Sequence, residues 1–259
     1  MTTHLTAIGS GKGGTGKTLI AVSLAHALAH QGERVLLCDA DLGLSNAGVH
    51  LGVGETGDLA GLLAGHKTLK EAVARISCGP RAGFDILAAP PGSGALANAK
   101  DGAIDTLLMA LECAPYDRVL IDLGAGIDNT VMRIAGHADD VLLVVTPDPA
   151  SLTDAYAFAK LLLRRTTSRV PQLLVNMALN ATEGRRVAEA LITSARTFLH
   201  AAPEYLGHVP CDTRVPDAVR RQTPLLAAFP QTPAATAIEA IALKLHGGHA
   251  APLAVAGLR

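Results

Sequence analysis

Apolar runs and helical segments alternate along the chain. Seven short, mostly apolar runs have the length of buried strands, at 5–8, 35–38, 84–87, 119–121, 141–145, 173–175 and 206–209. Longer segments with apolar residues at helical spacing lie between or after them, at 17–31, 104–112, 152–165, 183–200 and 233–245. This alternation predicts βαβ units and a largely parallel sheet flanked by helices.

Two helix boundaries can be predicted from capping residues. Gly32 follows helix 17–31 directly, where a glycine commonly ends a helix. Ser151 and Asp154 have the spacing of an N-terminal capping pair, which predicts the start of helix 152–165. That start lies close to the end of strand 141–145, at the edge where parallel sheets bind ligands.

Composition favours one folded domain. The chain has 259 residues, of which 49% are hydrophobic and 17% charged, so disorder from low hydrophobicity and high charge is excluded. No apolar run approaches the roughly 20 residues of a membrane-spanning helix, and no signal-like segment opens the sequence. We expect a cytoplasmic protein with one domain over residues 1–246 and a flexible tail over 247–259.

Cysteine and histidine spacing gives no metal motif. The four cysteines stand singly, at Cys38, Cys78, Cys113 and Cys211. Without a C-x-x-C pair they predict neither a disulfide framework nor a zinc or iron-sulfur site, and we expect free thiols in the core. His26 and His30 stand four apart, a spacing that can bind metal, but the expected interpretation is an exposed helix face.

Charge is divided unevenly between the two halves. Residues 1–150 carry 10 basic and 16 acidic groups, whereas residues 151–259 carry 12 basic and 7 acidic groups. The C-terminal half is therefore suited to an anionic partner.

Residues 11–18 form a phosphate-binding motif. They read Gly-Lys-Gly-Gly-Thr-Gly-Lys-Thr and satisfy G-x-x-x-x-G-K-[ST] between strand 5–8 and helix 17–31. Phosphate would be held by backbone N–H groups of Gly11, Gly13, Gly14, Thr15 and Gly16 and by the helix N-terminus. Lys17 would neutralise the β- and γ-phosphates, and Thr18 would ligate Mg²⁺. We therefore predict an α/β protein with the three-layer P-loop NTPase fold, a mostly parallel twisted sheet flanked by helices.

Three aspartates follow predicted strands. Asp39 and Asp41 come directly after strand 35–38, and alternation sets them on the same side. Asp122 ends strand 119–121 and has the position of the Walker B carboxylate, which holds Mg²⁺, commonly through water. These carboxylates predict a magnesium and water site beside the phosphate loop.

A second lysine in the loop carries a family resemblance. Lys12, together with the following Gly-Gly-Thr-Gly-Lys-Thr, resembles the deviant Walker motif of the MinD/ParA ATPases. The resemblance covers the chain from residue 1 to about 245. It implies that Lys12 reaches the nucleotide of the opposite subunit, and hence a homodimer with ATP between the protomers.

The resemblance also implies roles for individual residues. It places Asp39 in support of the Mg²⁺ region and Asp41 at the attacking water, with switch I at Gly43 to Asn46 and switch II at 123–126. The implied catalytic residues are Lys12, Lys17 and Asp41, and the implied magnesium residues are Thr18, Asp39 and Asp122. Asn176, Pro210 and Asp212 lie where the family binds adenine, and an amide fits the donor and acceptor pattern of that base.

Two longer strings resemble one branch of this family. They are the eight residues 39–46 and the eleven residues 146–156, and they look like FlhG (FleN, YlxH), the MinD-like ATPases that set the number and placement of flagella. This implies a switch with slow ATP hydrolysis, an FlhF-like GTPase or a flagellar protein as partner, and a position at the inner membrane or cell pole.

Two features depart from the branch. Its members commonly carry an N-terminal extension that stimulates FlhF, whereas this sequence begins ten residues before Gly11. Many MinD-like proteins also end in an amphipathic membrane-binding helix, but the tail 247–259 has three glycines, a proline and one cation. The tail therefore predicts weak membrane binding at most.

Alternative functions remain open at this stage. Arginines at 164, 165, 169, 185, 186, 220 and 221 would suit a ParA-type partition ATPase that binds DNA non-specifically. A metabolic ligase of the same fold, such as a dethiobiotin-synthetase-like or cobyrinate-amidating enzyme, would use the loop to activate a carboxylate. An iron-sulfur carrier would need the missing cysteine pair.

Overall fold

One sheet runs through the centre of the protein. A computed structural model of the chain describes residues 3–41, 47–52, 57–79, 82–89, 102–166 and 169–247. Within them the strands are β1 (His4–Ser10), β2 (Val35–Ala40), β3 (Ala74–Ser77), β4 (Gly83–Leu87), β5 (Arg118–Ala125), β6 (Asp140–Val145), β7 (Gln172–Ala178) and β8 (Tyr205–Pro210). The order across the sheet is β3-β4-β2-β5-β1-β6-β7-β8, and all neighbours are parallel except β3 and β4.

The seven predicted strands are confirmed, and β3 is a further strand that was not predicted. It has four residues, pairs antiparallel with β4 at the edge of the sheet, and buries Ile76 alone among its four side chains. An edge strand this short and this exposed lacks the apolar run by which the other strands were recognised.

Helices cover both faces of the sheet. Within the described residues they are α1 (Lys17–His30), α2 (Ala47–Leu51), α3 (Leu59–Leu63), α4 (Leu69–Ala72), α5 (Ala103–Glu112), α6 (Asn129–His137), α7 (Pro149–Arg165), α8 (Ala181–Leu199), α9 (Arg214–Arg220), α10 (Leu225–Ala228) and α11 (Pro233–Gly247). The five predicted helices correspond to α1, α5, α7, α8 and α11. None of the described helices has both the length and the apolar character needed to cross a membrane.

The start of α7 differs from the prediction. The helix begins at Pro149, and its N-cap is Asp148, whose side chain accepts from the backbone N–H of Ala150. Ser151 is instead buried, and its hydroxyl accepts from the N–H of Thr146 at the end of β6. A proline in the first helical turn and an aspartate before it make the stronger start signal.

Alternate side chains of the central strands contribute to two cores, one on each face of the sheet. Leu36 and Val119 belong to a cluster with α5, α6, α7 and α8, whereas their neighbours Leu37 and Leu120 belong to a cluster with α1, α10 and α11. Two cores on opposite faces of one parallel sheet confirm the predicted three-layer α/β fold.

The predicted domain boundary at 246 remains a prediction. Helix α11 runs to Gly247, and the rest of the tail lies outside the described residues.

Helix α1 is buried almost all round, which overturns one expectation. His26 is only 2% exposed, because α1 is covered by the sheet on one side and by α11 and α2 elsewhere. Its imidazole lies against the ring of exposed His30, with 4.9 Å between ring centroids. The predicted exposed face is therefore wrong at His26 and correct at His30.

The cysteines are not all in the core. Cys38 in β2 is fully buried and Cys78 half-buried, but Cys113 and Cys211 are exposed. All four are free, as predicted, while the predicted core location holds for Cys38 alone.

Burial of His26 predicts a loss of stability in acid. Desolvation lowers the pKa of His26 from 6.5 to about 4, so the unfolded chain takes up this proton at a higher pH than the fold does. This contribution to the free energy of unfolding is present above pH 6.5 and decreases as pH falls towards about 4. We expect His26→Leu to remove that part of the pH dependence in urea titrations.

The variant His66→Leu is the matched control, because His66 is exposed. Equal pH dependence of unfolding in the wild type and His26→Leu would contradict the assignment.

Candidate nucleotide-binding site

The phosphate loop lies at the carboxyl edge of the sheet, between β1 and α1. Gly14 and Gly16 have φ values of +77° and +84°, in the region that favours glycine. A Cβ at Gly16 would also lie 2.4 Å from Nδ2 of Asn176, so this position tolerates no side chain. The loop therefore has the backbone form that directs successive N–H groups to one point.

Helix α7 packs directly against the loop. A Cβ at Gly11 would lie 2.2 Å from the carbonyl oxygen of Asp154, in the second turn of α7. Gly11 is thus required by the close approach of two backbones. This contact fixes the first turns of α7 relative to the phosphate loop.

Lys17 and Asp122 are buried together. Lys17 is 8% exposed and Asp122 is 1% exposed. Burial lowers the pKa of Lys17, while the charges of Asp122 and Asp41 act in the opposite direction. The pKa of Asp122 is raised to about 7, mainly by burial and next by the charge of Asp39. A hydrogen bond from Thr18 acts in the opposite direction. Each group is thus placed where its charged form lacks solvation.

Asp39 and Asp41 take different positions. Asp39 is paired in register with Asp122 on neighbouring strands, and its carboxylate accepts from the N–H groups of Asp41 and Ala47 at 3.0 and 3.1 Å. Asp41 is half-buried, and its Oδ1 lies 3.6 Å from the position of a Cβ on Gly124. The three aspartates therefore converge as predicted, with Asp39 anchoring the start of α2.

The segment predicted as switch II, residues 123–126, lies beside the start of the phosphate loop. Ala125 pairs with Ser10 across a register shift, and the N–H of Gly126 donates to the carbonyl of Ser10 at 3.0 Å. Residues 123–125 complete β5, so the turn begins only at Gly126, whose φ is +104°. The predicted switch I, Gly43 to Asn46, lies outside the described residues.

Lys12 is directed away from the buried lysine. Its side chain is 42% exposed, and its Nζ forms an ion pair with Asp148, the N-cap of α7. The hydrogen bond from Lys12 lowers the pKa of Asp148. This aspartate was not predicted as a site residue, although its position before Pro149 marks a helix start.

The residues predicted to bind adenine have structural contacts of their own. Asn176 is 3% exposed, and its Nδ2 donates to the carbonyl of Thr15 at 2.8 Å. Asp212, two residues after Pro210, accepts from the N–H groups of Arg214 and Ala234. Asn176 thus fixes the phosphate loop and Asp212 holds α9 and α11, while their part in base binding stays a prediction.

Two buried oxygen atoms at the site have no hydrogen-bond partner within the described part of the chain. They are Oγ1 of Thr15 in the loop and Oδ1 of Asp122. Unsatisfied buried oxygens are costly, and an incoming magnesium ion with its water and phosphate ligands would satisfy them. Among the described residues, no three His, Cys, Asp or Glu side chains form a metal centre. The two unsatisfied oxygens fit a magnesium ion that brings phosphate and water ligands with it, and Thr18 as a ligand stays a prediction.

Comparisons with known proteins agree with this geometry. The family described as the CobQ/CobB/MinD/ParA nucleotide binding domain matches residues 6–225. This chain belongs to that family. Antiactivator FleN of Pseudomonas aeruginosa is 37% identical over 241 residues, covering 92% of this chain and 85% of FleN.

One further relative and one solved structure are similar over most of their length. The flagellum site-determining protein YlxH of Helicobacter pylori is 34% identical, covering 80% of this chain and 69% of YlxH. The septum site-determining protein MinD of Pyrococcus horikoshii, solved with Mg-ADP, has the same fold with a TM-score of 0.77 at 23% identity. The structural match covers 94% of this chain and 96% of the MinD chain. The predicted resemblance to the MinD/ParA ATPases, and within them to FleN and YlxH, is confirmed.

Removal of the buried charge at Asp122 should stabilise the nucleotide-free protein above neutral pH. The pKa of Asp122 is raised from 3.8 to about 7, so the stability of its neutral form is lost as pH rises through about 7. We expect Asp122→Asn to reduce this loss in urea titrations between about pH 4 and pH 7, the interval between the unfolded and folded pKa values. The same variant should weaken the magnesium dependence of nucleotide binding.

The exposed carboxylate Asp105 gives the control variant Asp105→Asn. A nucleotide-free Asp122→Asn protein that loses as much stability as wild type between about pH 4 and pH 7 would contradict the assignment.

Proposed function

We propose that this chain is a MinD-like ATPase that works as an ATP-dependent dimerising switch and controls the number or placement of flagella. The observation that carries the proposal is that two lysines of one loop have different environments. Lys17 is buried beside Asp122, whereas Lys12 is at the surface. A monomeric P-loop enzyme needs the first lysine and not the second.

The buried lysine and the loop would bind ATP. Backbone N–H groups of residues 13–16, the N-terminus of α1 and Lys17 would hold the phosphates. Thr18 would ligate Mg²⁺, with Asp122 and Asp39 behind it, and the ion would neutralise phosphate charge. Bound phosphate would add further negative charge beside Lys17, whose charged form is disfavoured by burial.

Asp41 would orient the attacking water. The oxygen of this water would attack the γ-phosphorus, and the bond to the β–γ bridging oxygen would break, giving ADP, inorganic phosphate and a proton. Oδ1 of Asp41 lies 3.6 Å from the position of a Cβ on Gly124, which belongs to the segment proposed as switch II. This closeness supports a role for Asp41 next to the γ-phosphate rather than at the ribose. Hydrolysis would be slow, because a switch requires a bound state that persists.

Lys12 would leave Asp148 and contact the nucleotide of the second subunit. Both side chains of this pair are more than two-fifths exposed, and exposed pairs are worth about 0–1 kcal/mol. The pair is therefore easily exchanged for contact with a more highly charged phosphate. Two copies would close around ATP, and hydrolysis would separate them.

The names of the similar proteins support the flagellar role. FleN is called an antiactivator and YlxH a flagellum site-determining protein. We propose an FlhF-like GTPase or another flagellar protein as partner, and a cytoplasmic protein that acts at the inner membrane or cell pole. Asn176, Pro210 and Asp212 are proposed to surround adenine.

The dimer can be trapped by blocking hydrolysis. We expect Asp41→Ala to have the molar mass of a dimer with ATP-Mg²⁺ and of a monomer with ADP-Mg²⁺ in light scattering. A monomer under both conditions would contradict the proposed switch. Lys17→Ala in the same background should stay monomeric, because it should lose nucleotide binding.

The surface lysine should matter for dimerisation and not for binding. We expect Lys12→Ala, placed in the Asp41→Ala background, to bind ATP with an affinity within about threefold of its parent and to remain monomeric. Fluorescent-ATP titration and sedimentation velocity measure the two properties. Lys70→Ala is the control, because Lys70 is exposed on α4. A normal ATP-dependent dimer of the Lys12 variant would exclude a role across the interface.

A further inference from the structure

Met177 has an unfavourable backbone conformation. Its φ is +60°, in the left-handed region, where a long side chain costs about 1–2 kcal/mol relative to glycine. It lies in a register shift of the β7–β8 pairing, between Asn176 and Ala178. Glycine or asparagine would adopt this conformation at lower cost, so folding alone does not account for methionine.

The side chain of Met177 gains little burial in return. It is 43% exposed, and its methyl group lies 3.6 Å from the position of a Cβ on Gly16. The strained conformation therefore presents an apolar side chain at the surface beside the phosphate loop. Strain kept without compensating burial points to a contact made in another state of the protein.

Leu179, two residues further on, is 76% exposed. It is the residue before Asn180, the N-cap of α8. An apolar residue at this place often packs on the fourth residue of the helix, but that residue is Gly184. The usual local role for Leu179 is therefore missing.

Both side chains line a cavity of about 340 Å³ with Lys12 and Asp148. The same cavity is lined by Thr15 of the loop and by Glu183 of α8. It thus combines three apolar side chains, those of Met177, Leu179 and Pro147, with one cation and two carboxylates. A surface that carries both signs of charge together with apolar side chains is suited to pairing with a second copy of itself, as a twofold interface requires.

We propose that Met177 and Leu179 form the apolar contact by which a second copy of this chain docks in the ATP-bound dimer. This rests on the proposed function and assigns the docking contact to the β7–α8 connection. Lys12 supplies charge at the same cavity, while these two side chains exclude water around it.

The test uses Asp41→Ala as the parent and adds Met177→Asn and Leu179→Ser together. Asparagine accepts a positive φ, and serine at 179 keeps the N–H that donates to Glu183 Oε2 at 2.6 Å, so the monomer should fold normally. Sedimentation equilibrium over a dilution series with ATP-Mg²⁺ gives the dimer dissociation constant. We expect it to rise on the order of tenfold or more.

Affinity for ADP-Mg²⁺ is the second readout, because ADP is bound by the monomer. We expect it to change less than about twofold, since neither residue is proposed to touch the nucleotide of its own subunit. Met109→Ser and Leu243→Ser are matched controls, because these side chains are 65% and 59% exposed on α5 and α11. They should leave the dimer constant unchanged.

The outcomes separate this inference from the switch itself. An unchanged dimer constant in the double variant would overturn the inference and leave the switch intact. A loss of ADP affinity that matches the loss of dimer would overturn it too, because the side chains would then act on their own nucleotide. A parent that stays monomeric with ATP would overturn both.

Discussion

Lys17, Asp39 and Asp122 are buried at one edge of the sheet, and this concentration of charge governs the rest of the site. A cation and two carboxylates at 8%, 1% and 1% exposure have little water to solvate them. The pKa shifts of Lys17 and Asp122 run towards their neutral forms for that reason. Phosphate and magnesium would restore the charged forms of both groups, so the edge is suited to an ionic ligand.

The surrounding structure holds this edge in place through backbone contacts. Gly11 lets α7 approach the loop, and Asn176 of β7 fixes the carbonyl of Thr15. A strand and a helix beyond the motif therefore set its shape. Asp148, the N-cap of α7, and Met177 of β7 belong to the same two elements. The elements that hold the phosphate loop in place therefore also form the exposed surface beside it.

Errors of sequence interpretation arise where tertiary contacts decide. His26 has the spacing of an exposed helix face, but the sheet, α2 and α11 all pack on α1 and leave His26 only 2% exposed. Ser151 has the spacing of a cap, yet it is buried against the end of β6 while Asp148 caps the helix. Strand β3 has too few apolar residues to be recognised, because only its pairing with β4 defines it.

The sequence by itself determined the phosphate loop, the three aspartates and the parallel order of strand and helix, because each depends on local periodicity or on a motif of fixed spacing. The tertiary structure decided which charges are buried, that Lys12 pairs with Asp148, and that Asn176 holds the loop. It also decided that Met177 and Leu179 reach the surface beside Lys12. These properties depend on elements more than a hundred residues apart, and their packing is not written in any one segment of the chain.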